Sequence, residues 1–169
     1  MKRFVLLLSL LIPLSSLAAE KLPLGYVDVH RVLLESKVGK KNKAELDKLI
    51  KDRKTAISQE EGKLEAMQQA FQKDQLLMTP QQKQDKQQEF QTRVEAYQKM
   101  VKAAEQEVSS KDNEYAAKSL ADIKGIITEI AKERKLTMIF GTSDVGLLYA
   151  DPDLDLTQQV IQRYDAKAK

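Results

Sequence analysis

The chain has 169 residues with no cysteine, no tryptophan and one histidine, and it carries 28 basic and 25 acidic side chains. The missing cysteine excludes disulfide staples and thiolate metal sites, which leaves stability to packing and association. Lys2 and Arg3 fall in an expected leader, and without them 26 basic groups face 25 acidic ones, a balance of +1 that gives no global electrostatic reason to seek nucleic acid.

Residues 1–19 have the three parts of a cleaved secretory signal: Lys2-Arg3, an apolar run from Phe4 to Leu14, and Ser16-Leu17-Ala18-Ala19. Small residues place cleavage after Ala18 or Ala19, so the mature chain is expected to be exported. An uncleaved anchor would need about 20 apolar residues, more than this run offers.

Leu24 to His30 reads as a short strand, since β-formers alternate with small or polar residues after Pro23. From Arg31, the residues Val32, Leu33, Leu34 and Val38 suggest a short helix, interrupted at Gly39 before a long helical arm that begins near Lys40. Along that arm Leu46, Ile50, Ile57, Leu64, Met67 and Phe71 keep heptad spacing. A second series, Phe90, Val94, Tyr97, Val101, Ala104, Val108 and Tyr115, repeats it in reverse.

The two series are mirror images about the Pro80-Gln81 bond, the pattern of an antiparallel coiled-coil hairpin. Phe71 then faces Phe90, Met67 faces Val94, Leu64 faces Tyr97, Ile57 faces Ala104 and Leu46 faces Tyr115. Thr79-Pro80 supplies a helix cap and a helix-starting proline at the mirror point, so the turn is expected near residues 79–81. Arg53, Glu60, Asp74 and Lys111 interrupt the seam, where their long stems can lie along it with their heads in water.

Beyond Tyr115 the apolar phase shifts to Ala116, Leu120, Ile123, Ile127 and Ile130, so this stretch should contact something other than the first arm. Residues 136–140 read as a second strand, Gly141 to Asp144 as a turn and Val145 to Ala150 as a third strand. A terminal helix follows, capped by Asp155 or Thr157, with Leu156, Val160, Ile161 and Tyr164 on its apolar side. The expected fold is therefore α+β. Residues 20–45 and 116–169 form a small β-rich body with Val27, Val29, Met138, Phe140, Leu148, Leu156 and Val160 as candidate core, and residues 46–115 form an inserted helical hairpin. A body this small, with open strand edges, calls for oligomerisation.

Leu76, Leu77 and Met78, beside the turn, are candidates for contact with another molecule, because a hairpin end cannot bury three adjacent large side chains on one seam. His30 stands alone, without the companions a zinc or nucleophilic site needs. Asp151, Asp153 and Asp155 alternate around Pro152 but lack the glycine and distal glutamate of an EF-hand, so turn and capping duty is expected of them. The pair Glu60-Glu61 lies on a solvated helical pattern, and Gly25, Gly141 and Gly146 make no phosphate loop. No enzyme, cofactor or metal site is expected.

As a set, the leader, the Gly25-Tyr26-Val27-Asp28-Val29 strand running into Arg31-Val32-Leu33, the inserted hairpin, Leu136-Thr137-Met138-Ile139-Phe140 and Asp155-Leu156-Thr157 resemble the Skp/OmpH family of periplasmic chaperones over essentially the whole mature chain. The resemblance implies a jellyfish-like homotrimer in the periplasm, with a central β body and three hairpin tentacles around a cavity. It implies holding unfolded outer-membrane β-barrel proteins there without ATP, which prevents their aggregation before membrane insertion. The family's strongly basic character, credited with drawing in acidic clients and membrane surfaces, is missing here. Near the tip Lys63, Lys73, Lys83 and Lys86 are offset by Glu65, Asp74, Asp85 and Glu89 among many glutamines. Transient membrane or lipopolysaccharide contact is thus weakly supported, and no residues are carried over for it. The alternative is a periplasmic structural or adaptor coiled-coil protein, for which about 150 mature residues leave no room for flanking β domains.

Overall fold

The computed structural model describes residues 22–142 and 146–167. The expected leader and Val145 lie outside the described residues. Strand β1 (Leu24–Val27) is shorter than its sequence pattern suggests, because Asp28 turns the chain into a helix. The Asp28 Oδ1 accepts the Arg31 N–H at 2.9 Å and caps α1 (Val29–Glu35). Val29 and His30 are therefore helical, and Val29 packs half-buried against the core from the helix.

The break before the long arm falls at Ser36 and not at Gly39. Ser36 is buried, has extended backbone, and accepts the Gly39 N–H on its Oγ at 3.0 Å, which starts α2 (Lys37–Asp74). Gly39 serves a different purpose, since a Cβ there would stand 1.7 Å from the Leu33 carbonyl oxygen. Only a residue without a side chain lets α1 and α2 approach so closely.

Helix α3 (Pro80–Arg134) runs back along α2 and continues past it into the body, ending at Lys135 in the left-handed conformation with φ 53°. Strand β2 (Met138–Gly141) then pairs in parallel with β1, Gly25 beside Ile139 and Val27 beside Gly141. On its other side β1 meets the end of a short 3-10 turn (Pro152–Leu154), where the Leu156 N–H donates to the Tyr26 carbonyl at 2.9 Å. The last helix, α4 (Thr157–Lys167), packs on α1 and α3. As expected of turn residues, Asp151 Oδ1 accepts from Asp153 N–H and Asp155 Oδ1 from Thr157 N–H.

Val27, Val32, Ile123, Ile126, Ile130, Leu156, Val160, Ile161 and Tyr164 form the buried core, so the shifted phase of α3 does serve the body. The core face of α3 runs through Ser119, Ile123, Ile126 and Ile130, which leaves Leu120 exposed. Three core assignments need correction. Met138 is 54% exposed and Phe140 lies half-buried outside the cluster, whereas Ile139 packs against it. Strand side chains alternate, so choosing the wrong face inverts every residue of the strand. Leu148 is fully exposed and residues 147–150 form no strand. The expected antiparallel hairpin with β2 is replaced by the parallel pairing with β1, and the far edge of β2 has no strand partner among the described residues.

Candidate functional site

The outer end of the hairpin is built by a reciprocal cap. The Gln82 N–H donates to Thr79 Oγ1 at 3.3 Å and the Thr79 N–H donates to Gln82 Oε1 at 2.9 Å, with Pro80 at the first helical position. Residues 75–78 bridge to Asp74, the end of α2, so the connection spans Gln75–Thr79 and lies just ahead of the expected position. This short link leaves Leu76 and Leu77 each 90% exposed, while Met78 folds back half-buried against the arms.

Behind the tip the arms touch along one seam. On α3 every member of the expected series is half-buried, and Ala104 is fully buried. On α2 Leu46, Ile57, Leu64, Met67 and Phe71 are half-buried, but Ile50 is 42% exposed and Leu49 takes the inward position. Leu49 sits three residues after Leu46 and four before Arg53, which keeps the 3-4 alternation that Ile50 breaks. No residue of α2 is fully buried.

Charged groups flank the seam where apolar layers are thin. Arg53 makes a two-pronged bond to Glu107, with Nε at 2.7 Å and Nη2 at 2.8 Å, which holds the Glu107 carboxyl below the ordinary glutamate range. Glu60 is lowered too, first by its bond from Lys63 and then by Arg93 across the arms at 3.0 Å. Tyr115, paired with Leu46 in the mirror pattern, donates its O–H to the adjacent Glu45, and that bond raises the phenol's pKa. At the root, Tyr164 donates to Ser119 Oγ at 2.9 Å and Asn42 Nδ2 reaches the same oxygen at 3.4 Å. Burial raises the Tyr164 phenol's pKa.

Among the described residues no cluster of histidine or acidic side chains could hold a metal ion, and no helix is long and apolar enough to cross a membrane. Around the tip the basic Lys73, Lys83 and Lys86 are balanced by Asp74, Asp85 and Glu89 among many glutamines.

Residues 23–164 match the family described as outer membrane protein (OmpH-like). The chain belongs to the OmpH-like family. No individual curated protein matches the sequence. Among solved structures, the chain is similar to the crystal structure of a protein from Caulobacter crescentus CB15 assigned as an OmpH-like outer membrane chaperone. The two share 17% identity with a TM-score of 0.79, over 86% of this chain and 85% of that one. At that identity the likeness carries the fold alone, and it matches the helical hairpin on a small α+β body seen here.

In this OmpH-like chain the structure brings the tip and seam residues together. Met67, Phe71 and Phe90, expected as seam residues, also border an opening near the tip that the heptad pattern gives no sign of. The pattern scores positions as inward or outward and says nothing of a groove between two helices. The junction residues Asn42, Ser119 and Tyr164 escaped sequence reasoning as a group, because polar residues scattered over three helices leave no periodic trace.

Proposed function

We propose that this OmpH-like chain is an ATP-independent holdase of the periplasm that keeps unfolded outer-membrane β-barrel proteins from aggregating before insertion. The observation that carries the reading is an arm of two helices reaching about 45 Å from the body, at about 1.5 Å per residue along α2 from residue 46 to its end at Asp74, and ending in two leucines each 90% exposed. An arm of that length offers a long contact surface on which a client can be held at several points. The chaperone assignment of the Caulobacter protein favours the same reading.

In this reading residues 20–45 and 116–169 are the assembly body and 46–115 the tentacle. Three copies associate through the open edge of β2, with the exposed Met138 on that strand and Leu148 and Tyr149 elsewhere in the body as further apolar surface. Three arms then enclose a space in which weak, mobile contacts, including Leu76, Leu77 and Met78, keep a client's strands from pairing with other chains. Release follows from the client's own folding. Contact with lipopolysaccharide or membrane is secondary, and nucleic acid is not a partner.

The test is light scattering after a urea-unfolded outer-membrane barrel protein is diluted into buffer with the mature chain and without nucleotide. Suppression near one trimer per client supports caging. Undiminished aggregation across salt and pH overturns it and favours the spacer or adaptor alternative.

A further inference from the structure

A groove of about 620 Å³ opens between the end of α2 and the start of α3, floored by Met67, Phe71, Met78 and Phe90. Asp74, Gln75, Lys86 and Gln87 line it as well, polar side chains unsuited to closing an apolar seam. The rim is mostly carboxamide, from Gln68, Gln72, Gln87 and Gln91. Among the described residues the amides of Gln68, Gln72 and Gln87 make no side-chain hydrogen bond, so they stand in water with donors and acceptors free.

That combination selects an occupant. An apolar floor takes one large apolar side chain, and two methionines let it adapt to several shapes. A carboxamide offers both a donor and an acceptor, the same pair that each residue of an extended backbone presents. Asp74, Glu89 and Lys86 nearly cancel around the opening, so an anionic lipid head or nucleic acid finds no field to enter. A folded domain would also fail, because its backbone groups are already satisfied.

We propose that this groove is a docking site for one extended segment of unfolded polypeptide, its apolar side chain on the Met67–Phe71–Met78–Phe90 floor and its backbone bonded to the glutamine rim without regard to sequence. The proposal rests on the holdase reading and says where on each arm a client is held. Each arm would carry its own groove. A trimer would therefore grip a client at three weak points, and avidity would supply the retention that no single point gives.

The experiment uses the full mature chain and a fluorescein-labelled decapeptide of alternating leucine and serine, read by anisotropy. Two variants keep the seam intact: Ala70→Trp, which fills the groove from an exposed wall position, and Gln72→Glu with Gln87→Glu, which removes rim donors. The amide pair should bind about tenfold more weakly, as expected for the loss of one or two net hydrogen bonds. Ala70→Trp should abolish binding, with helicity by circular dichroism unchanged in both. An all-serine peptide should not bind.

Variants that bind like the unaltered chain overturn the groove whatever the scattering assay shows. No peptide binding by a chain that does suppress aggregation overturns the groove and leaves the holdase reading standing. Peptide binding lost in the variants supports the groove even where aggregation is not suppressed, in which case the holdase reading fails alone. Tight binding to phosphatidylglycerol vesicles that the same variants abolish, with no binding to the peptide, assigns the surface to lipid and overturns the proposal.

Discussion

The body and the arm of this molecule are held together by different physics. In the body Val32, Ile130 and Val160 have no accessible surface, and three helices and a strand contribute to one core. In the arm the seam is half-buried throughout and only Ala104 is enclosed, because two helices can cover only one face of each other. The body is thus sensitive to single atoms, while the arm spreads its stability over many interchangeable layers.

Ile130→Asp should break the comparison most severely. It places a carboxylate in the centre of the core and should cost at least about 4 kcal/mol, enough to unfold the body in a urea titration. A body that melts normally with this change would remove the distinction between the regions. Gly39→Ala comes next, at about 2 to 3 kcal/mol, because the new methyl must displace the Leu33 carbonyl and so the contact of α1 with α2. Leu64→Asp should cost about 1 to 2 kcal/mol, confined to the arm. Hydrogen exchange would then show faster amides in α2 and α3 near that layer and unchanged protection around Ile123 and Val160. Loss of body protection would show that the regions are one cooperative unit.

The smallest effect is that of acid. Glu60 and Glu107 have folded pKa values below their unfolded ones, so their stabilising effect is complete above about pH 4.3 and fades as pH falls through the lower folded values. Glu133, held low by Arg163, adds a like contribution at the rim of the body. The central core contains no such pair. On titration from pH 6 to pH 3, exchange should therefore quicken in the arm before it does around Ile126, and the reverse order would contradict the division.

The arm was far more legible in the sequence than the body. A heptad repeats its message about ten times, so one misplaced layer, Ile50 for Leu49, leaves the hairpin intact. Thr79, Pro80 and Gln82 mark its turn by local chemistry alone. The body offers short strands, where four residues carry one bit of information about which face is inward. That bit is inverted for Met138 and Phe140, the expected core residues of this strand, while Ile139 between them packs against the core. Residues 147–150 of the strand expected at 145–150 pair with no strand among the described residues, and Asp28, a capping residue, ends β1 before Val29. The groove behind the tip is lined from both arms, by residues as far apart in sequence as Phe71 and Phe90, so no single segment announces it.

The parallel pairing of β1 with β2, and the bond from Asp28 N–H to Thr157 Oγ1 across 129 positions, fix an order of events. Neither end of the chain can complete the body until both are present, and closing so long a loop at random is slow and entropically costly. The hairpin needs only neighbours: its turn caps itself and its arms zip outward from Thr79 toward Asn42 and Ser119. Once formed, it brings Asn42 and Ser119 together at the root, 3.4 Å apart, so the distance left to search is short. The arm is thus the jig on which its own foundation is assembled.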